Sequence, residues 1–257
     1  MKPLYGRIVF GSSAVLFGVI ALMWHDAETW QSLHHIWSLP FGASIGGGLM
    51  AAQIAGGIGM EFPRTARFAS IVLWAVYFCF SLACIPGILA APTVYAQYGS
   101  FFEQFSLVCG SIALYAATET NGVRALALGK LARLGLGVCV LSFTVSQIIY
   151  FGFTATLVPR WLPPSQKFWA MFTTVAFALA AIAILVNRPA RLAMGLLTLM
   201  LGLFGLLVWV PRLVVDPRKH TNWSEFALTF LITGAAWMVW DVSSALSRRP
   251  VTSLTAR

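Results

Sequence analysis

The sequence predicts an all-α integral membrane protein with eight transmembrane helices, arranged as two tandem four-helix units of the same orientation. Composition is the first observation behind this prediction, because 59% of the 257 residues are hydrophobic and only 10% are charged. A soluble domain carries about 25% charged residues. The second observation is that the apolar residues form eight continuous stretches. Each is close to the roughly 20 residues that a helix needs to cross a bilayer.

The apolar stretches give the expected positions of the eight spans. Because the stretches are continuous rather than alternating, they favour helices over transmembrane strands. The first stretch follows a basic N-terminus, but no small-residue cleavage site comes after it, so we expect it to remain as an uncleaved span. The expected spans are 7–24, 41–60, 68–90, 101–118, 132–157, 168–186, 191–213 and 225–246.

The basic residues predict the orientation of these spans. In an eight-span arrangement, twelve lysines and arginines fall on the side of both termini and five fall on the other side. Cytoplasmic loops carry the excess of basic residues in membrane proteins, so both termini are expected in the cytoplasm. The charges are scattered over loops, which disfavours nucleic-acid binding and favours contact with membrane lipids.

One sequence pattern occurs in both halves of the chain. Residues 63–89 (PRTARFASIVLWAVYFCFSLACIPGIL) and 188–214 (RPARLAMGLLTLMLGLFGLLVWVPRLV) both begin at a proline–arginine turn and reach Pro86 or Pro211. A new span then begins near Glu103 or Glu225. Four spans per unit give both copies the same direction. The expected organisation is a first unit at 1–118, a cytoplasmic linker at 119–131, a second unit at 132–246 and a basic cytoplasmic tail at 247–257.

Small residues at four-residue spacing mark the second span of each unit. Span 2 carries Gly48, Ala52 and Gly56, and span 6 carries Ala176 and Ala180. Small residues at this spacing let helix backbones approach closely in lipid. We therefore expect these spans to be the central packing helices of their units, with a narrow conduit past the glycines as the alternative.

The second half resembles the DoxX-like family of bacterial membrane proteins. The resemblance rests on Val158–Pro164 (VPRWLPP), on Phe168–Trp169 and on Val208–Arg212 (VWVPR). It covers residues 130–243 and is much weaker over 1–118. It implies a four-helix unit, here duplicated, and a multi-pass location in the bacterial inner membrane.

The same resemblance carries an expectation about chemistry. Similar sequences often have a histidine near the outer end of the unit's first helix, and this chain has Gln147 there. The family has been linked to quinone-coupled sulfur oxidation and to thiol redox complexes. The resemblance therefore suggests quinone as a ligand, while Gln147 argues against chemistry that needs the histidine.

A candidate ligand-binding cavity is expected on the outer side of the second unit. Carboxylates inside a bilayer are costly. Glu103 and Glu225 should therefore face an outer cavity and pair with Arg160 or Arg212, unless they simply lie at helix N-termini, where negative charge is favourable. Six residues are expected to converge there, with Glu103 as the counterpart in the first unit: Gln147, Tyr150, Arg160, Trp161, Arg212 and Glu225.

Other polar groups within or next to the spans have two interpretations. Cys139, Ser142, Ser146 and Tyr150 follow helical spacing in span 5, as expected either for helix packing or for the wall of a ligand pocket. Asp241 lies deep in span 8, and we expect it to pair with Arg133 or Arg248.

The four histidines and four cysteines show no spacing typical of a metal site, haem or iron–sulfur cluster. We predict no tightly bound cofactor.

The sequence leaves three functions open and shows no complete catalytic motif. The first is a noncatalytic integral membrane subunit or assembly factor, whose partners would be other membrane-protein subunits. The second is a quinone- or thiol-linked redox protein, as the resemblance suggests. The third is a carrier for a small lipophilic or anionic solute, which the duplicated bundle and the outer carboxylates suggest.

Overall fold

The computed structural model describes residues 5–24 and 31–246, and this part of the chain contains helices but no strand. Eight spans, two of them formed by consecutive helices, are long and apolar enough to cross a membrane in these ranges. The predicted class, an all-α multi-span membrane protein, is confirmed. The helices are α1 Tyr5–Trp24, α2 Gln31–Trp37, α3 Gly42–Glu61, α4 Ala66–Ala83, α5 Ile85–Ala90, α6 Tyr95–Thr118, α7 Gly122–Ile149, α8 Phe151–Leu157, α9 Gln166–Val186, α10 Ala190–Phe204, α11 Val210–Val215 and α12 His220–Leu246.

Several helices begin before the apolar stretches from which they were predicted. Helix α6 begins at Tyr95 rather than 101, α7 at Gly122 rather than 132, and α12 at His220 rather than 225. Hydropathy detects only the segment that matches the hydrocarbon layer, whereas these helices include polar and aromatic turns beyond it. The expected linker at 119–131 is correspondingly shorter, because α7 already begins at Gly122. Asn121 caps α7 by accepting a hydrogen bond from the backbone N–H of Arg124 at 3.0 Å.

The eight spans pack in the order in which they follow one another in the chain. In the described residues each span contacts the next, and α12 also packs against α1. The neighbour pairs α1–α3, α3–α4 and α4–α6 in the first half have counterparts in α7–α9, α9–α10 and α10–α12. Helices α6 and α12 also contact each other. The predicted arrangement of two four-helix units, related by a half-turn about an axis between α6 and α12, would give these neighbours.

The contact between α6 and α12 lies at equivalent positions of the repeat. A Cβ atom on Gly110 of α6 would lie 2.7 Å from the Cα of Ala235 of α12, and these positions are 125 residues apart. Residues that face their own counterparts are typical of a two-fold axis. Helices α6 and α12 have the most buried spans, whereas α3 and α9 have the least buried. The expectation that α3 and α9 are the central packing helices is therefore wrong.

The start of α1 and the end of α12 lie at the same end of the bundle, which we call the terminal end. The backbone N–H of Gly6 donates to Oδ2 of Asp241 at 3.4 Å. Asp241 is therefore not paired with Arg133 as expected, since Arg133 donates to the carbonyl of Ile184 near the end of α9. Arg248 lies outside the described residues. We call the opposite end, where α6 and α12 begin, the distal end.

The basic residues divide between these two ends as the sequence suggested. Of the twelve residues assigned to the side of the termini, eight fall in described segments near the terminal end. The other four, Lys2, Arg248, Arg249 and Arg257, lie outside the described residues. The distal end carries Arg160, Lys167, Arg212, Arg218 and Lys219. The cytoplasmic location of the terminal end remains a prediction.

Pro86 and Pro211 break a span rather than end it. Each is the second residue of a short helix, α5 or α11, a position where proline's missing N–H costs little. The residues that follow these helices are Ala91 (φ −139°, ψ 67°) and Asp216 (φ −138°, ψ 79°). The near-identical backbone angles extend the repeat from the sequence to the local structure.

The second unit contains one residue more than the first between α10 and α11. Arg67 and Arg191 are 124 positions apart, whereas Pro86 and Pro211 are 125 positions apart. The structure accommodates the extra residue as a π-helical turn at Gly205–Trp209. Such turns often occur at functional sites, and this one ends three residues before Arg212.

Candidate functional site

Arg212 lies at the centre of the distal end of the second unit. Its guanidinium carbon lies 5.0 Å from the centre of the Trp209 ring, a cation–π arrangement. The side-chain amide of Asn222 donates to the carbonyls of Arg212 at 3.3 Å and Asp216 at 3.1 Å, which fixes α11 against α12. Within the described residues the Arg212 guanidinium makes no hydrogen bond. Its donors therefore remain free for a ligand.

Two cavities lie on either side of Arg212. The first has a volume of about 260 Å³ and the second about 380 Å³. Residues from α8, the following loop, the start of α9, the π turn and α11 line the first: Thr156, Leu157, Val158, Pro159, Arg160, Trp161, Gln166, Leu207, Val208, Pro211 and Arg212. The second is lined by Pro211, Arg212, Val215, Asp216, Lys219 and Asn222. The structure thus brings together three of the predicted site residues, Arg160, Trp161 and Arg212.

The first cavity combines positive charge with apolar walls. Arg160 and Arg212 supply two guanidinium groups, while Leu157, Leu207 and Val208 supply aliphatic surface. Its volume is below the roughly 300–1,000 Å³ of pockets that enclose a whole drug-sized ligand. The space suits an acidic head group whose apolar remainder lies outside the cavity.

Glu225 places a carboxyl group near Arg212. The carboxylate and the guanidinium interact electrostatically. Along α12, Glu225 is on the same face as Ile232 and Val239, which are seven and fourteen residues further on and are both buried. Glu225 itself is exposed. The same helix face is thus exposed at the level of Glu225 and buried deeper in the bundle.

Glu103 approaches Glu225 from α6. The two carboxylates are close enough to repel each other. Glu103 is the ninth residue of α6 and Glu225 the sixth residue of α12. The alternative that both simply lie at helix N-termini is wrong, because the favourable effect of a helix dipole is confined to the first turn.

Gln147 and Tyr150 do not line either cavity. The Gln147 side-chain carbonyl accepts a hydrogen bond from the hydroxyl of Thr174 at 2.9 Å, between α7 and α9. The Tyr150 hydroxyl accepts one from the backbone N–H of Ala96 at 3.0 Å, which links the end of α7 to the start of α6. The polar stripe of span 5 therefore makes contacts between helices, as the helix-packing interpretation proposes.

Ser142 and Cys139 belong to the same stripe. The hydroxyl oxygens of Ser142 and Tyr95 lie 2.9 Å apart, and the thiol of Cys139 contacts that of Cys109 on α6. Both cysteines are buried. These residues join α7 to α6, and thus one unit to the other.

The equivalent place in the first unit is filled by protein. The position that matches Arg212 is Gly87, 125 residues earlier. A Cβ atom built on Gly87 would lie 3.1 Å from Nε2 of His35 and closer still to Oε1 of Gln97. His35 belongs to α2, the short helix between α1 and α3, which corresponds in chain order to α8 between α7 and α9. Of these two equivalent positions, 212 carries an arginine and lies beside the two cavities, whereas 87 is a glycine packed against other side chains.

The remaining histidines do not gather into a ligand set in the described part of the chain. The rings of His34 and His35 lie 5.8 Å apart in an edge-on arrangement. His25 lies outside the described residues. No group of three or more histidine, cysteine or acidic side chains that could hold a metal ion occurs among the residues with described positions.

Sequence reasoning missed Trp209, Lys219 and Asn222. Trp209 was part of a motif that resembles the family, but its role beneath Arg212 depends on the π turn. Hydrophobic periodicity does not reveal such a turn. The change in repeat spacing from 124 to 125 residues is the signal that could have revealed it, because an extra residue within a helix must be accommodated locally.

Comparison of the chain with protein-family models, with curated proteins and with solved structures finds no match. The resemblance to the DoxX-like family remains a prediction from the residues that carry it. Its implications for quinone or thiol chemistry remain predictions as well. The functional argument therefore depends on the distal end of the second unit.

Proposed function

We propose that this multi-span membrane protein is a noncatalytic membrane component that holds the acidic head group of an amphipathic molecule at the distal end of its second unit. The observation that carries the proposal is the 260 Å³ cavity with Arg160 and Arg212 in its wall. Its ligand class is a single anionic head group, such as a sulfonate, carboxylate or phosphate, attached to an apolar chain.

The chemistry of the lining supports binding over catalysis. Guanidinium groups bind oxyanions through several hydrogen bonds in a fixed geometry. Trp209 holds the Arg212 guanidinium by ring stacking, so little side-chain freedom is lost when the anion binds. The residues that line the first cavity include no histidine, cysteine, serine, lysine, aspartate or glutamate, the side chains that most often act as bases or nucleophiles.

The surroundings of the cavity support an amphipathic ligand. Leu206 and Val210 are exposed beside the cavity, and Val214 on α11 is 77% exposed. In a bilayer these side chains contact lipid chains or the interface. An apolar tail could lie against them while its head group lies between Arg160 and Arg212. A freely soluble anion has no apolar chain that could contact this surface.

Binding to the protein in nanodiscs of zwitterionic lipid tests the proposal. Octyl sulfonate is the first probe because its charge is constant over the useful pH range. We expect saturable binding by the wild type and at least a tenfold loss in Arg212→Gln, since a hydrogen bond to a charged group contributes about 1.5–3 kcal/mol. The matched control is Arg218→Gln, which removes an arginine at the same end that lines neither cavity.

Two further probes separate the sources of the anion. Inorganic phosphate tests for a soluble ligand, and phosphatidylglycerol added to the nanodisc tests for a lipid head group. Binding of phosphatidylglycerol or octyl sulfonate that depends on Arg212 supports the proposal. Equal binding by wild type and Arg212→Gln, or Arg212-dependent binding of phosphate but not of the two amphiphiles, contradicts it.

A further inference from the structure

We propose that the head group held at the distal end carries two acidic groups, as a diphosphate does, and that Arg212 bridges them. The first acid lies between Arg160 and Arg212, and the second lies between Arg212 and Lys219. This inference rests on the proposed function and names the ligand class of the same site. It assigns Lys219 as the residue that distinguishes a head group with two acids from a head group with one.

Arg212 forms part of the wall of both cavities. It and its neighbour Pro211 line the 260 Å³ cavity and the 380 Å³ cavity alike, so one arginine is common to two adjoining spaces. A guanidinium group carries five N–H donors arranged around its edge. It can therefore bind one oxyanion on each side, whereas a lysine ammonium acts as a single point charge.

The structure positions Arg212 through contacts that do not use its N–H donors. The guanidinium carbon lies over the Trp209 ring, 5.0 Å from the ring centre. Stacking of this kind covers the flat face of the guanidinium and leaves its edge open. The side-chain amide of Asn222 donates to the carbonyls of Arg212 and Asp216, which fixes the short helix α11. The arginine is thus held in place while its donors remain open to two acids.

The charges in the two walls match a head group with two negative charges. Arg160 and Arg212 are the charged residues of the first cavity, and the second cavity adds Lys219 and Asp216. Three cations thus oppose one carboxylate. No ion pair at 4.0 Å or less involves Lys219 or Asp216 in the described part of the chain. The Lys219 ammonium therefore remains open to an acid that enters the second cavity.

Asp216 makes an amine the alternative occupant of the second cavity. Its carboxylate lies in the wall of that cavity, where it repels a second acid and attracts a positively charged group. The excess of cations over the two cavities favours the acid. Replacement of Asp216 by asparagine separates the two occupants, because it strengthens the binding of an acid and weakens the binding of an amine.

The experiment compares octyl diphosphate with octyl sulfonate, which carries one acid on a chain of the same length. Binding is measured to the full chain in zwitterionic nanodiscs, without divalent cations, at about 0.15 M salt, where charges more than about 8 Å apart are largely screened. We expect the wild type to bind the diphosphate about tenfold more tightly than the sulfonate. Lys219→Gln should lose this preference and bind octyl sulfonate as the wild type does. Asp216→Asn should bind the diphosphate more tightly than the wild type does.

Arg218→Gln is the matched control, because it removes the neighbouring basic residue, which lines neither cavity. It should bind both amphiphiles as the wild type does.

Three results would overturn the inference while the proposed function stands, provided that octyl sulfonate binds through Arg212. They are a wild type without preference for the diphosphate, equal weakening of both probes by Lys219→Gln, and weaker binding of the diphosphate by Asp216→Asn. Inorganic pyrophosphate that binds as tightly as octyl diphosphate would also contradict the inference, because the ligand would then be soluble. If neither amphiphile binds, or if Arg212→Gln binds both as the wild type does, the inference and the proposed function are both wrong.

Discussion

Arg67 illustrates how single residues hold the terminal end of the bundle together. It lies in the first turn of α4 and donates to the carbonyl of Thr118 at 3.2 Å and to the hydroxyl of Tyr115 at 3.0 Å. It also pairs with Glu119 at 3.3 Å. Arg191 repeats the arrangement by donating to Ser244 near the end of α12. A cation at a helix C-terminus is favourable. In both units an arginine at the start of the third span thus binds the end of the fourth span.

Glu119 gives this contact a predictable pH dependence. Backbone N–H groups of Asn121 and Thr120, together with Arg67, hold the pKa of the Glu119 carboxyl below its ordinary value of 4.5, with the Asn121 bond as the largest cause. A carboxyl whose pKa is lower in the folded state stabilises the protein above the unfolded pKa, and this stability is lost as the pH falls through the folded pKa.

We therefore predict that Glu119→Gln slightly lowers the melting temperature at pH 7. The difference from the wild type should shrink as the pH falls below 4.5 and disappear once the pH is below the lowered pKa of the Glu119 carboxyl, where the folded wild type takes up its proton. Thermal unfolding in detergent at several pH values measures this. A difference that persists unchanged at pH 3 would show that the side chain acts through packing rather than charge.

Helix α6 meets α12 at a point where there is no space for another carbon atom. The Cβ of an alanine at 110 would lie 2.7 Å from both the Cα and the Cβ of Ala235. Because Ala235 belongs to the most buried span, neither helix can move without disturbing its other neighbours. The close approach of these two helices joins the units.

Gly110→Ala should therefore destabilise the protein, by about 1–3 kcal/mol as is usual for overpacking. Gly48→Ala on α3 is the matched control, since no atom lies within 4 Å of the added carbon, and we expect it to leave stability unchanged or slightly increased. Reversible unfolding in detergent compares the two variants. Equal stability of both would contradict the close packing of α6 against α12.

The π turn at Gly205–Trp209 is the element that distinguishes the two units. It takes up one extra residue while Pro86 and Pro211 keep equivalent positions in the repeat. Trp209 ends the turn and supports Arg212. The turn therefore places Trp209 where it supports the arginine that lines both cavities.

Deletion of Leu206 should convert this turn into regular α-helix and leave the protein folded. The first unit already spans the same distance with one residue fewer. Deletion of Leu82, which is also exposed and lies in the corresponding region of α4, should unfold or strongly destabilise the protein, because it shifts every following residue of that span by about 100°. Size-exclusion profiles and melting temperatures compare the two. If both deletions lower the melting temperature and the yield of folded protein to a similar extent, the π turn does not accommodate an extra residue.

At the scale of the whole molecule, hydropathy was enough to predict eight spans, because a bilayer imposes length and apolarity on every helix that crosses it. It could not predict that α7 begins at Gly122 or that Gln147 is bonded to Thr174. Those features depend on neighbouring helices. Arg160, Trp161 and Arg212 line one cavity, and each occurs where a span ends at the distal side. Gln147 and Tyr150 end a span there too, but face other helices.

The two units also differ in a way that the repeat alone did not suggest. Helix α2 and Gln97 occupy the space beside Gly87 in the first unit, whereas the second unit has Arg212 beside two cavities. A duplicated fold thus has a single proposed site. If the prediction of a cytoplasmic terminal end is correct, this site faces the outer side of the membrane.

The number of anionic amphiphiles retained by one chain tests this account most directly. Native mass spectrometry of the protein released from membranes containing phosphatidylglycerol measures that number. The account predicts one tightly held anionic lipid per chain, lost in Arg212→Gln and retained in Arg218→Gln. Two such lipids per chain, one for each repeat, or a single lipid that persists in Arg212→Gln, would contradict it.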